Sequence, residues 1–306
     1  MEFEELYRPK EFIAWNLVKN EMNTNLSILK KKYTSEPYHS FLRPAAAVLV
    51  RFLKNTPVTS NQVTLISAIT GVFSGILTGY RYPVLGGILL FLSMILDCAD
   101  GQLARAKGEA GTLGRILDGA ADYTTAIFVH IGIAVYLSAY ISPVWPWIGA
   151  TAVSMAGHCI YFDSKKQWFL SRIDPNYSEI NSKREADRYL KHTVNFPSRV
   201  FMKIYRYYLS FQSGIAGTSA DNYFISEPSR RNEFINRAGP FMGFARLLGP
   251  AGHNFFIVIF MFLSSVIYNA LFFYLLLVTV VFNILFILTL SREYRLNKYL
   301  KNNQLI

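Results

Sequence analysis

Apolar runs long enough to cross a bilayer, whose core takes about 20 residues of helix, recur near 61–80, 83–105, 112–138, 144–162, 248–267 and 269–291. Two long polar stretches interrupt them, at 1–55 and at about 163–247. The pattern predicts an all-α polytopic membrane protein with six transmembrane helices. Residues 1–55 form an N-terminal cytosolic or interfacial juxtamembrane region, 56–162 carry helices 1–4, 163–247 are a cytosolic insertion between helices 4 and 5, 248–291 carry helices 5 and 6, and 292–306 are a cytosolic tail. The second and third apolar runs are joined by "AKGEAG", where Gly108 and Gly111 suit a tight turn between antiparallel helices. Within the insertion, "FPSRVFMKIYRYYLSFQS" (196–213) mixes Arg, Lys, Tyr and Phe. It reads either as a helix lying in the headgroup layer or as part of a small cytosolic subdomain packed on itself.

Composition agrees with a membrane class. The chain is 52% apolar and only 17% charged, and its mean hydropathy of +0.23 is diluted by the two polar stretches. "MEFEELYRPK" carries acidic residues and no apolar run, so no cleaved signal peptide is expected there. Cys98 and Cys159 lie in different segments without metal-ligand spacing and read as small packing residues. Of the 31 Lys and Arg, all but Arg81 fall in the N-terminal region, the Asp-rich turn, the insertion or the tail. Six spans with both termini inside place those regions in the cytoplasm, as the positive-inside tendency requires. The net charge of +11 therefore reads as attraction to anionic membrane lipids, not to nucleic acid.

One charged stretch sits where apolar residues are expected: "LDCADGQLARAKGEAGTLGRILDGAAD", residues 96–122. A lone charge in a span costs on the order of 3 kcal/mol even on lenient insertion scales, so four aspartates in or against the bilayer call for a function. Asp97 and Asp100 are i, i+3 neighbours, and Gly114, Asp118 and Asp122 share a face at i, i+4, i+8. Two antiparallel helices can thus aim four carboxylates into one gap. Bare, such a cluster repels itself, and a divalent cation resolves the repulsion. All-oxygen ligands select a hard ion, Mg²⁺ or Mn²⁺, over zinc. The interspersed small residues, Gly101, Ala104, Gly111, Gly114 and Gly119 among them, let a ligand or the opposite helix approach the backbone. Arg105 is suited to a phosphate.

The pattern Asp97-x2-Asp100-Gly101-x2-Ala104-Arg105-x8-Gly114-x3-Asp118-x3-Asp122 resembles the signature of the class I CDP-alcohol phosphotransferase (CDP-alcohol phosphatidyltransferase) family at every defined position. The resemblance covers roughly 50–165 and 247–291. It implies a six-helix membrane core and a phospholipid-synthesising transferase. The enzyme would move a phosphatidyl group from CDP-diacylglycerol to a small alcohol, with release of CMP. The reverse assignment, a CDP-alcohol donating its phospho-headgroup to a lipid acceptor such as diacylglycerol, stays open. By the same resemblance Asp97, Asp100, Asp118 and Asp122 would hold two Mg²⁺ or Mn²⁺ ions, Asp122 would also act as general base, and Gly101, Ala104, Arg105 and Gly114 would line the nucleotide and diphosphate pocket. The expected partners are a CDP-linked lipid, a small alcohol, membrane lipids and a second copy of the chain. The active site would face the cytoplasm.

Before the first span, "TPVTSNQVTLIS" resembles the family's Pro-Asn-x-Ile/Val-Thr element, with Ser60 in place of proline. Asn61 and Thr64 are thereby expected near the cytidine, and Thr59 or Ser60 reads as a helix N-cap. Relatives that use a phosphorylated acceptor often carry a basic residue after the last aspartate. Tyr123 stands there, which favours an unphosphorylated alcohol. His130 and His158 read as packing histidines, and His253 with Asn254 as candidates for the acceptor pocket. A Mg²⁺ channel would need polar residues through the depth of the membrane, and the outer halves of these spans carry almost none.

Overall fold

The computed structural model of the protein describes residues 26, 28–109, 111–175, 203, 206–207 and 224–305. The expected headgroup-layer helix at 196–213, apart from 203, 206 and 207, and the middle of the insertion lie outside the described residues. Every described element is helical: α1 His39–Leu53, α2 Ser60–Gly79, α3 Pro83–Lys107, α4 Thr112–Ser138, α5 Trp145–Ile173, α6 Pro228–Ala245, a 3₁₀ turn Arg246–Leu248, α7 Pro250–Leu263 and α8 Ala270–Asn302. A π-helical stretch, Leu277–Phe282, interrupts α8.

Local chemistry sets the helix ends that matter for the site. Thr59 caps α2 in a capping box: its hydroxyl accepts the Gln62 N–H at 3.3 Å, and Gln62 Oε1 accepts the Thr59 N–H at 2.9 Å. Helix α3 begins on Pro83 and ends at Gly108, whose φ of +68° lies in the left-handed region that glycine adopts without strain. Gly111, in extended conformation, precedes α4. The tight turn expected at "AKGEAG" is thus present.

Four helices are long and apolar enough to cross a membrane: α2, α3, the Gly114–Ser138 part of α4, and α8. A fifth crossing arises if Pro228–Leu248 and α7, which meet at a 41° bend, count as one span. The fourth expected span, 144–162, is the first half of α5. Pro146, Thr151, Ser154 and His158 dilute its hydropathy, and the helix continues through charged residues to Ile173. The fifth expected span, 248–267, is mainly α7, whose 14 residues rise about 21 Å and fall short of a 30 Å core.

Packing forms three apolar clusters. The largest joins α3, α4, α5, α7 and α8 through Leu90, Met94, Ile133, Leu137, Ile257 and Tyr274. A second ties the polar extension of α5 to α6 and the end of α8 through Phe169, Phe234, Met242 and Leu300. The third seats α1 on α3 through Ala46, Val50, Ala99 and Leu103. Helices α2 and α4 cross with their backbones in contact at Gly75 and Gly132, where a methyl group would overlap the facing main chain. Leu65, Ile66, Ile69 and Phe73 on α2, and Ile284, Ile287 and Leu288 on α8, remain exposed, as lipid-facing surfaces do.

Candidate active site

The α3–α4 hairpin brings the signature together. Asp97 and Asp100 lie near the end of α3 and Asp118 near the start of α4, and one carboxylate oxygen from each falls within 4.8 Å of the others. The Asp97 and Asp118 carboxyls are in hydrogen-bonding contact. Asp100 is buried and accepts the Thr64 hydroxyl at 2.5 Å. Asp122 stands outside this trio, exposed, yet near enough for its charge to act on Asp97. Three carboxylates this close cannot all be ionised without a counter-charge. Their donor set, oxygen only and gathered on two rigid helices, fits a hard divalent cation. The expected four-aspartate ligand set is therefore three aspartates in one cluster with the fourth alongside.

The remaining signature residues surround the trio. Arg105, exposed, folds back so that its Nη1 lies 3.6 Å from where a Cβ on Gly101 would stand. Asn61 reaches from α2 toward Gly114, its Oδ1 3.6 Å from a Cβ placed there. Ala104 is half-buried on α3. Thr64, expected near the cytidine, donates its hydroxyl to the Asp100 carboxylate. Tyr123, after Asp122, is half-exposed.

Two charged residues of the turn were not singled out by the motif. Glu109 Oε2 accepts both the N–H and the hydroxyl of Ser60 at 3.1 Å, and Lys107 Nζ donates to the carbonyls of Thr56 at 2.7 Å and Val58 at 2.6 Å. They clamp the start of α2, with Asn61 and Thr64, onto the hairpin that carries the aspartates. The signal available in the sequence was a pair of charges inside a run of small residues.

The N-terminal region meets the hairpin at Gln102, whose Nε2 donates to the Arg43 carbonyl at 3.2 Å. Glu36 is buried, 5% exposed, and burial pushes its carboxyl from 4.5 up to about 7 although the Gly252 N–H and the charges of Lys166 and Arg43 oppose the rise. His39 is driven down to about 4 by burial, then by Arg43 and Lys166. Two cations outside the signature, Arg43 and Lys166, thus stand near Glu36 and His39.

The histidines divide otherwise. His130 Nδ1 pairs with the Ala126 carbonyl at 2.8 Å and His158 Nε2 with Asn283 Oδ1 at 3.1 Å, as packing residues do. His253 does not open onto an acceptor pocket: it is fully buried and stacked on His158, ring centroids 5.4 Å apart. Both cysteines are free.

Comparison with known proteins follows the same segment. Residues 57–163 match the family described as CDP-alcohol phosphatidyltransferase; residues 247–291 lie outside that match. A bifunctional IPC transferase and DIPP synthase of Aquifex aeolicus is 36% identical over 95 residues, 30% of this chain and 21% of the relative. The protein of the same name from Thermococcus kodakarensis is 37% identical over 100 residues, 31% of this chain and 22% of the relative. An archaetidylinositol phosphate synthase of Pyrococcus horikoshii is 34% identical over 86 residues, 27% of this chain and 44% of the relative. The chain thus spans less than half the length of these curated relatives. No solved structure matches. Residues 57–163, which hold the clustered aspartates, are thus similar to the CDP-alcohol phosphatidyltransferase family.

Proposed function

We propose that the protein is a membrane-embedded transferase that moves a phosphatidyl group from CDP-diacylglycerol to the hydroxyl of a small alcohol, releasing CMP. The observation that carries this reading is the trio Asp97, Asp100 and Asp118, converging within 4.8 Å on a hairpin of the matched family. Those three residues hold the divalent cation, and Mg²⁺ or Mn²⁺, in one ion or two, suits their oxygens. When bound, the metal neutralises charge on the diphosphate and on the departing CMP. Arg105 meets the diphosphate, Gly101, Ala104 and Gly114 leave room for it against the backbone, and Asn61 with Thr64 borders the nucleotide side. Asp122, beside the trio, takes the proton of the attacking hydroxyl in this reading.

A cytoplasm-facing active site is supported by the basic regions, which gather on one side of the six spans that hydropathy predicts. The relatives' names, one of them a synthase of archaetidylinositol phosphate, make inositol and its phosphate the first acceptors to compare. Tyr123 favours the unphosphorylated member. The experiment supplies purified protein and Mg²⁺ with radiolabelled CDP-diacylglycerol and a pool of alcohols, and follows CMP and lipid products. Product formed only when a CDP-alcohol is paired with diacylglycerol establishes the reverse donor assignment. No CMP from either pairing refutes the reading.

A further inference from the structure

At the end of the bundle remote from the aspartates, the connections 80–82, 139–144 and 264–269 and the helix ends beside them carry a single charged side chain, Arg81, between α2 and α3. Asp97 lies about 24 Å of helical rise further along the chain. The backbone at Arg81 is unusual. The Tyr82 N–H donates to the Leu77 carbonyl at 2.9 Å and the Arg81 N–H to the Thr78 carbonyl at 3.0 Å, the two bonds that close a helix in a Schellman motif. That motif needs a left-handed residue, and Arg81 has a φ of +70°. Glycine takes this conformation freely and an arginine does not. The turn by itself therefore disfavours the residue that occupies it, and the reason for an arginine lies in its side chain.

That side chain sits over the Tyr140 ring, 5.6 Å from the centroid, and Tyr140 packs on Tyr268 with ring centroids 5.4 Å apart. These contacts bring the α2–α3 turn, the end of α4 and the α7–α8 connection to one place. Tyr80 and Tyr268 are 74% and 72% exposed, and Tyr82 and Arg81 are exposed as well. Among the described residues no carboxylate pairs with the guanidinium. Toward the middle of the bundle the adjoining surface is apolar and open: Phe73 and Ile76 on α2 and Ile131 and Val135 on α4 are exposed. The two helices touch there, since a Cβ on Gly79 would lie 3.6 Å from the Val135 side chain. A cation without an internal anion, ringed by phenol hydroxyls and continuous with an apolar face, matches an amphiphile that carries a phosphate and acyl chains.

We infer that Arg81, with Tyr80, Tyr82, Tyr140 and Tyr268, forms a binding site for the phosphate of a membrane lipid in the leaflet opposite the active site. The guanidinium fork donates to two phosphate oxygens, and tyrosine hydroxyls donate to the remaining phosphate and ester oxygens. The acyl chains lie along the exposed faces of α2 and α4, and the cation–π contact with Tyr140 keeps the guanidinium at the surface. This site is separate from the aspartates and stands whether or not the transferase reading does.

The test uses the full chain in maltoside detergent, whose headgroup has no phosphate. The probes are a phosphatidylglycerol and a diacylglycerol with the same acyl chains, each carrying a photoactivatable diazirine close to the glycerol. Cross-links are mapped by mass spectrometry to the peptides that hold residues 80–82, 140 and 268. In the parent, phosphatidylglycerol is expected to label these peptides about tenfold more than diacylglycerol, and Arg81→Gln to abolish most of that difference. Unlabelled phosphatidylglycerol should compete, and inorganic phosphate at the same concentration should not. Equal labelling by the two lipids, an Arg81→Gln protein labelled like the parent, or displacement by inorganic phosphate as effective as by unlabelled lipid overturns the site. Arg81→Gly separates lipid binding from a purely structural role, because it supplies the residue the turn prefers. Its labelling should fall as in Arg81→Gln while its Tm in lipid-free detergent stays at or above the parent's. A lower Tm assigns Arg81 to fastening the turn on Tyr140 and overturns the inference.

Discussion

Gly75→Ala should damage the protein more than the addition of one methyl group suggests, because of what that methyl meets. A Cβ at Gly75 would lie 2.8 Å from the Val129 nitrogen and closer still to the Phe128 carbonyl, whereas ordinary contact begins near 3.4 Å. The overlap exceeds half an ångström and falls on main chain, so no rotamer change relieves it and α2 must move from α4. Overpacking of this kind costs about 1–3 kcal/mol, while Gly→Ala in a helix returns about 1 kcal/mol of propensity. The net loss is up to about 2 kcal/mol. Gly157, exposed on α5 with open space around it, receives the same propensity gain without the collision, so Gly157→Ala should stabilise by up to about 1 kcal/mol. The gap between the two variants is the overpacking cost, about 1–3 kcal/mol, which corresponds to about 2–12 °C in Tm at about 2–4 °C per kcal/mol. Thermal unfolding in one detergent, at fixed lipid and Mg²⁺, measures it. Gly132→Ala, whose Cβ would lie 2.8 Å from the Gly75 carbonyl carbon, should match Gly75→Ala, because it opens the same crossing from the other side. A Gly75→Ala protein as stable as Gly157→Ala would show that the helices do not cross in contact there.

Replacing Asp97, Asp100 or Asp118 by Ala should lower CMP release at least a hundredfold with the protein still inserted and folded; an Asp118→Ala enzyme that keeps most of its activity at saturating Mg²⁺ removes it from the ligand set. Thr64→Val, which deprives Asp100 of its hydroxyl donor, should raise the Mg²⁺ concentration for half-activity by about 10-fold or more, and an unchanged Mg²⁺ titration would count against that link. Because the Glu36 carboxyl is raised from 4.5 to about 7, its contribution to stability is complete below about 4.5 and is lost as pH rises through about 7. Tm measured from pH 5 to 8 should fall more in the parent than in Glu36→Gln, and parallel curves would contradict the shift. A cysteine at Ser142 should react with a membrane-impermeant thiol reagent on intact cells and one at Lys301 should not, with the reverse pattern overturning the orientation.

The helix hairpin and its aspartates were legible in the sequence because their information is local. Hydropathy over about 20 residues marks a span, and i, i+3 and i, i+4 spacing places Asp97 beside Asp100 and Asp118 in line with Asp122. Gly108 as the end of α3 and Thr59 as the cap of α2 were readable for the same reason, since a left-handed residue and a capping box are satisfied within a few positions. Hydropathy ended the fourth expected span at 162, and only the structure shows the same helix continuing to Ile173 with its polar second half packed against α6. Tertiary structure alone set Asp122 beside the cluster of Asp97, Asp100 and Asp118, turned Thr64 toward Asp100 and buried His253 on His158. It also carried Glu36 across 216 positions to cap α7. Such contacts depend on which helices meet and at what distance. Nothing in the local pattern around Glu36 encodes the bare glycine turn that needs its carboxylate, so only the packed chain brings donor and acceptor together.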